Sequence, residues 1–120
     1  MSIKNEDDLT LDQVLKICQN VKDENIEVIA NPIIRPKTHE FIQKYDFDIN
    51  DVRQIIRNLS KNDYNKGPVT DDNPNYRHSF WIFIKFVSEI KVKVYIKIKI
   101  INHRRKIIVF SIHEEGVYEL

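Results

Sequence analysis

At 120 residues, 42% hydrophobic and 31% charged, the chain is long enough for one domain with its own core, and none of its apolar runs could span a bilayer. A single cysteine rules out an internal disulfide or a thiolate-rich zinc site, and two glycines (Gly67 and Gly116) rule out a phosphate-cradling glycine loop. The net charge of +1 hides a local basic block: residues 77–106 carry nine Lys or Arg against Glu89 alone, whereas residues 1–76 carry ten against fourteen Asp or Glu.

The opening MSIKNEDDL is polar and acidic, unlike a signal or transit peptide, so a cytoplasmic protein with residues 1–8 disordered is expected. From Thr10, the residues Leu11, Val14, Leu15 and Cys18 recur at i, i+3, i+4, i+7 and predict a helix to about Asn20. Cys18 lies on that stripe and reads as a small core residue. Glu27–Ala30 predicts a short strand, and Pro32 and Pro36 predict an extended segment carrying Arg35 and Lys37. Thr38 is the expected N-cap of a helix reaching Tyr45, and Asp48 or Asn50 caps a third helix built on Val52, Ile55, Ile56 and Leu59. Ser60 and Asp63 have capping-box spacing. Residues 65–78 read as a long polar loop, with Gly67-Pro68 and Asn73-Pro74 as turns.

The last third is β. Residues 79–87 are dense in aromatic and β-branched types, 91–101 alternate strictly, and 107–113 form a third strand after a turn at 102–106. The expected fold is α+β, one domain over 1–120 with N-terminal helices packed on a C-terminal antiparallel meander. In KVKVYIKIKII, Val92, Val94, Ile96, Ile98 and Ile100 share one face, while Lys91, Lys93, Tyr95, Lys97 and Lys99 share the other. Burying the aliphatic sets of both C-terminal strands pairs Ile101 with Ile107, which brings Tyr95 opposite His113, Lys97 opposite Ser111 and Lys99 opposite Val109. The same parity buries Phe80, Ile82, Ile84 and Phe86, leaving Trp81, Phe83 and Lys85 beside Tyr95.

Alternating lysines alone are more often a solvated or edge-protecting face. Aromatic rings among them suit stacking of unpaired bases while Lys91, Lys93, Lys97, Lys99 and Arg77 hold phosphates. The competing expectation is Trp81 lying under a helix or loop. A single histidine such as His113 is usually structural, but a tyrosine partner makes it a candidate proton-transfer group. No histidine or carboxylate spacing matches a metal site, so no metal or other cofactor is expected.

Leu59-Ser60, Asp63-Tyr64-Asn65-Lys66, Trp81, Val94-Tyr95-Ile96-Lys97-Ile98 and Val109-Phe110-Ser111-Ile112-His113-Glu114 together resemble the MqsR family of toxin ribonucleases, within the RelE-like mRNA interferases. The resemblance runs from about Leu11 to Glu114. It implies a small α+β toxin that cuts single-stranded mRNA without a metal and is held inactive by an antitoxin encoded beside it. The family's active-site lysine falls on Lys66, its sheet tyrosine on Tyr95, and its late lysine on His113. Its glutamine falls on Ile82, which the expected register buries, and Lys85 is the candidate substitute from the same strand. On this reading His113 and Tyr95 share proton transfer, Lys66, Lys85 and Lys97 stabilise the phosphate, and Trp81 and Phe83 contact bases. The alternatives are a binding module that grips RNA or an acidic protein through the same basic face and cuts nothing, or a structural domain that docks a neighbour.

Overall fold

The computed structural model describes residues 9–70 and 79–116. Among these residues three helices precede most of a five-stranded sheet: α1 (Leu11–Asn20), β1 (Ile26–Val28), α2 (Pro36–Lys44), α3 (Ile49–Arg57), β2 (Tyr64–Val69), β3 (Phe80–Val87), β4 (Val92–Ile101) and β5 (Lys106–Glu114). The sheet order is β1-β5-β4-β3-β2. The α+β class therefore holds, with two corrections at the sheet edges. β1 lies parallel to β5, so the sheet is mixed, and the segment expected to be wholly loop supplies strand β2.

Helix boundaries follow local chemistry. Thr10 and Gln13 form a reciprocal capping box on α1, Asp48 and Asp51 form one on α3, and Ser60 and Asp63 form one on the 3-10 turn Lys61–Asp63. α2 starts earlier than expected. Pro36 occupies its first turn, where a missing N–H costs nothing, and Thr38 lies inside the helix. Thr38 is buried and its hydroxyl accepts the Ile112 N–H at 3.1 Å.

α1 and α3 cover one face of the sheet. Val14, Leu15 and Cys18 meet Val52, Ile55 and Ile56 above Trp81, Phe83, Val94, Ile96, Ile98, Ile107, Val109 and Ile112. Arg57 fastens these helices together. Its guanidinium donates to the carbonyls of Gln19 at 3.1 Å and Val21 at 2.5 Å and pairs with Asp23, closing the carbonyl end of α1. Cys18 is fully buried, and that burial pushes its thiol up to about 12.

The β4–β5 ladder pairs Tyr95 with His113, Ile96 with Ile112 and Lys97 with Ser111, as the hydrophobic pattern predicts. Beyond Lys97 a bulge shifts it by one, so that Lys99 faces Ile108 rather than Val109. Phe110 is the extra residue. In the β3–β4 hairpin the sequence expectation is inverted. The four-residue turn Ser88–Lys91 sets Val87 opposite Val92, which pairs Trp81 with Ile98, Phe83 with Ile96 and Lys85 with Val94. Trp81 and Phe83 are core residues at 4% and 0% exposure, and Phe80, Ile82, Ile84 and Phe86 occupy the lysine face.

Candidate active site

Because side chains alternate, the face turned away from α1 and α3 can be read directly from the ladders. One row runs Lys66–Ile82–Lys97–Ser111 and the next runs Ile84–Tyr95–His113. Strands lie about 4.8 Å apart and same-face residues about 7 Å apart along a strand. Lys66 and Lys97 thus flank Ile82, one row from Tyr95. Position 82 lies on the site's face of the sheet, and its apolar side chain is buried there, 5% exposed.

Tyr95 and His113 stack with ring centroids 4.9 Å apart and planes 16° from parallel. His113 is only 4% exposed, and its Nδ1 lies 3.0 Å from the carbonyl oxygen of Glu114. Tyr95 is half-buried, and desolvation raises its hydroxyl above the ordinary value of 10.0, so the phenol keeps its proton. Both groups are therefore held in fixed orientations beside Lys97.

Lys66 is aimed by its neighbours. The Tyr64 hydroxyl donates to the Gly67 carbonyl at 2.7 Å, and the Tyr64 ring packs 6.3 Å from both Trp81 and Phe83 on the helix side. Gly67 has φ +144°, and a Cβ there would approach Trp81 atoms at 3.1 Å. Holding the partly exposed Tyr64 ring near Trp81 and Phe83 and bringing Gly67 against Trp81 leaves Lys66 on the opposite face. The Asp63-Tyr64-Asn65-Lys66 motif is thus an anchoring device.

A cation–aromatic ladder continues the basic face. Lys97 Nζ lies 3.9 Å from the Phe80 centroid, Lys99 Nζ lies 4.4 Å from Phe80 and 5.2 Å from Phe110, and the Arg35 guanidinium carbon lies 5.8 Å from Phe110. Lys99 is 4% exposed between these rings, so its ammonium is part of the packing rather than a solvated charge.

Several expected site residues lie elsewhere. Trp81 and Phe83 are walled into the core, where a buried ring has no face left for a base. Lys85 points to the helix side and donates to the Asn58 carbonyl at 3.1 Å while pairing with Asp63 at 3.3 Å, a structural clasp on the end of α3. Lys91 sits in the hairpin turn with φ +57°, off the strand, whereas Lys93 is exposed on the outer face opposite Phe86. Arg77 lies outside the described residues.

Phe86, expected in the core, is instead 58% exposed on the lysine face. The signal was there, since Phe86 could only join the core if Trp81 and Phe83 left it. Among the described residues no three His, Cys, Asp or Glu side chains cluster as metal ligands would, and no helix is long and apolar enough to cross a membrane.

Residues 9–114 match the protein family described as "Motility quorum-sensing regulator, toxin of MqsA". No curated protein matches the chain.

Proposed function

The chain belongs to the MqsR toxin family, the toxin side of a toxin–antitoxin pair with a cognate antitoxin as protein partner, and from that premise we propose that it is a metal-independent endoribonuclease of single-stranded mRNA. The observation that carries this reading is the Tyr95–His113 stack on the same sheet face as Lys66 and Lys97. RNA cleavage without a metal needs a base, an acid and cations around one phosphate. His113 takes the proton of the ribose 2′-OH as that oxygen bonds to phosphorus. The P–O5′ bond breaks, and the departing 5′-oxygen takes the Tyr95 proton. A 2′,3′-cyclic phosphate and a 5′-OH end result. Lys66 and Lys97 offset the charge that builds on the phosphorane, and Phe86 offers a ring for an unpaired base.

A proton-transfer group contributes roughly 10²–10⁴-fold. His113→Ala is therefore expected to slow cleavage of single-stranded RNA in EDTA by about that factor, scored as new 5′-OH ends. Undiminished cleavage by this variant would sink the assignment. A second reading is favoured by Ile82, which puts an apolar side chain where the family resemblance calls for glutamine. It is a non-catalytic module holding RNA or protein on the same face, and wild-type protein that retains RNA without producing 5′-OH ends would establish it.

A further inference from the structure

The α2 helix does more than flank β5. β1 pairs with β5 only from Ile107 to Val109, with one further bond from Ile29 N–H to the Val109 carbonyl. Beyond that point the outer edge of β5 has no strand neighbour among the described residues, and side chains of α2 and its N-cap take over. Arg35 Nε donates to the Phe110 carbonyl at 2.8 Å, and the Thr38 hydroxyl accepts from Ile112 N–H at 3.1 Å. At the end of the strand Lys44 Nζ lies 2.8 Å from Glu114 Oε1, and the Tyr45 hydroxyl donates to the same carboxylate oxygen. Tyr45 is fixed in turn by the rings of Phe41 and Phe47, at 5.1 and 6.1 Å.

The residue gripped in this way carries the carbonyl that His113 meets. A neutral imidazole has one N–H donor and one lone-pair acceptor, and a carbonyl oxygen only accepts. Nδ1 at 3.0 Å from the Glu114 oxygen must therefore carry the proton. Nε2 is left as the acceptor. Among the described residues the ring has no second hydrogen bond, and His113 lines a cleft of about 130 Å³ with Lys37, Glu40, Phe41, Lys44 and Glu114.

We propose that Glu114, anchored by Lys44 and Tyr45, is a positioning residue that holds His113 in the Nδ1-protonated tautomer and so leaves Nε2 as the proton acceptor. The consequence for catalysis rests on the ribonuclease reading; the tautomer does not. The stack on Tyr95 fixes the plane of the ring, and the anchored peptide fixes its rotation within that plane. When Nε2 takes a proton, Nδ1–H already has its partner, so the imidazolium forms without a ring flip. The charged and titratable groups around His113 are Lys37, Glu40 and Lys44 from α2, Glu114 on its own strand and Tyr95 across the ladder. The Lys44 ammonium, then the Tyr45 hydroxyl, hold the Glu114 carboxyl below the usual carboxylate range, so the anchor is ionised at neutral pH.

The test is nitrogen-15 NMR of the histidine rings in the full chain, without RNA. The expected wild-type result is a neutral His113 ring protonated on Nδ1, and a mixture of tautomers in Glu114→Gln and in Tyr45→Phe. The signals of His39 and His103 should stay in place in both variants, which separates loss of the anchor from loss of fold. An Nε2-protonated ring in the wild type overturns the proposal even if neither variant folds, and so does an unchanged tautomer in two folded variants. For cleavage, misplacing a reacting group by about 1 Å can cost roughly 10²-fold. Each variant is expected to lose ten- to a hundredfold in kcat with KM unchanged. Loss in KM alone would assign the cluster to RNA binding and overturn the positioning role. If the wild type cuts no RNA while the tautomer is as stated, the ribonuclease reading fails and the anchor stands.

Discussion

Phe83 and Phe86 stand three residues apart on one strand and face opposite ways, so exchanging each for alanine tests the placement of β3 in a single experiment. Phe83 is 0% exposed and packs among Ile96, Trp81 and the Tyr64 ring. Truncating a buried phenylalanine removes its transfer free energy and leaves a cavity, together about 3–5 kcal/mol. With a urea dependence of about 1–3 kcal/mol per molar, the unfolding midpoint should fall by roughly 1–5 M. Phe86 is 58% exposed, so Phe86→Ala should change stability by no more than about 0.5 kcal/mol. Its effect should appear on RNA. One lost base–ring stack is worth about 1–3 kcal/mol, or roughly a 5- to 150-fold weaker Kd. The assay is urea unfolding followed by fluorescence, and then binding of a 2′-O-methylated single-stranded RNA, whose blocked 2′ position prevents cleavage. Phe83→Leu, which keeps most of the buried surface, should bind that RNA like the wild type. A stable Phe83→Ala that has lost RNA binding, paired with a destabilised Phe86→Ala that has kept it, would refute the placement and restore the opposite parity.

Arg57→Ala should cost about 2–3 kcal/mol, because it strips charged donors from carbonyls at the end of α1, and thermal unfolding measures it. The Glu114 carboxyl is depressed by Lys44 and Tyr45, so its contribution is fully present above the ordinary value of 4.5 and is lost as pH falls through the lower folded value. The stability difference between wild type and Glu114→Gln should therefore be constant near neutral pH and shrink in acid. The Lys44 ammonium is raised above 10.5 by the Glu114 carboxylate and then the Tyr45 hydroxyl, so its share is present below 10.5 and is lost as pH climbs through the folded value. Cys18, with a thiol pushed up to about 12, should resist thiol reagents in the native protein and react only on unfolding; fast native labelling would contradict its burial.

The strongest patterns in the chain were legible because only one folded arrangement satisfies them. Strict alternation in β4 leaves a single way to bury Val94, Ile96 and Ile98, and the matching set in β5 then forces Tyr95 opposite His113. The Ser60–Asp63 capping box was equally readable, since it depends on residues three apart, whereas the reciprocal boxes Thr10–Gln13 and Asp48–Asp51 emerged only in the structure. β3 was not readable in this way. Phe80 to Ile84 is apolar at every position, so alternation does not choose a face. Lys85 tipped the reading the wrong way, because its ammonium finds Asp63 and the Asn58 carbonyl at the rim of the helix layer. β2 escaped because Asn65, Lys66, Gly67 and Pro68 carry turn signals, and its strand character comes from pairing with β3 alone.

The α+β order, the lysine face of β4 and the Tyr95–His113 pair within it follow from the residue pattern alone. All three rest on interactions between residues close in the chain or on a period that admits one solution. Which rings share that face was decided only in the folded molecule, by a four-residue hairpin turn that set Val87 against Val92 and turned Phe86 outward and Trp81 inward. The bulge at Phe110 and the hold of α2 on the end of β5 belong to the same class. They arise where β1 stops and the exposed edge of β5 needs partners from residues some seventy positions away, which no local period encodes.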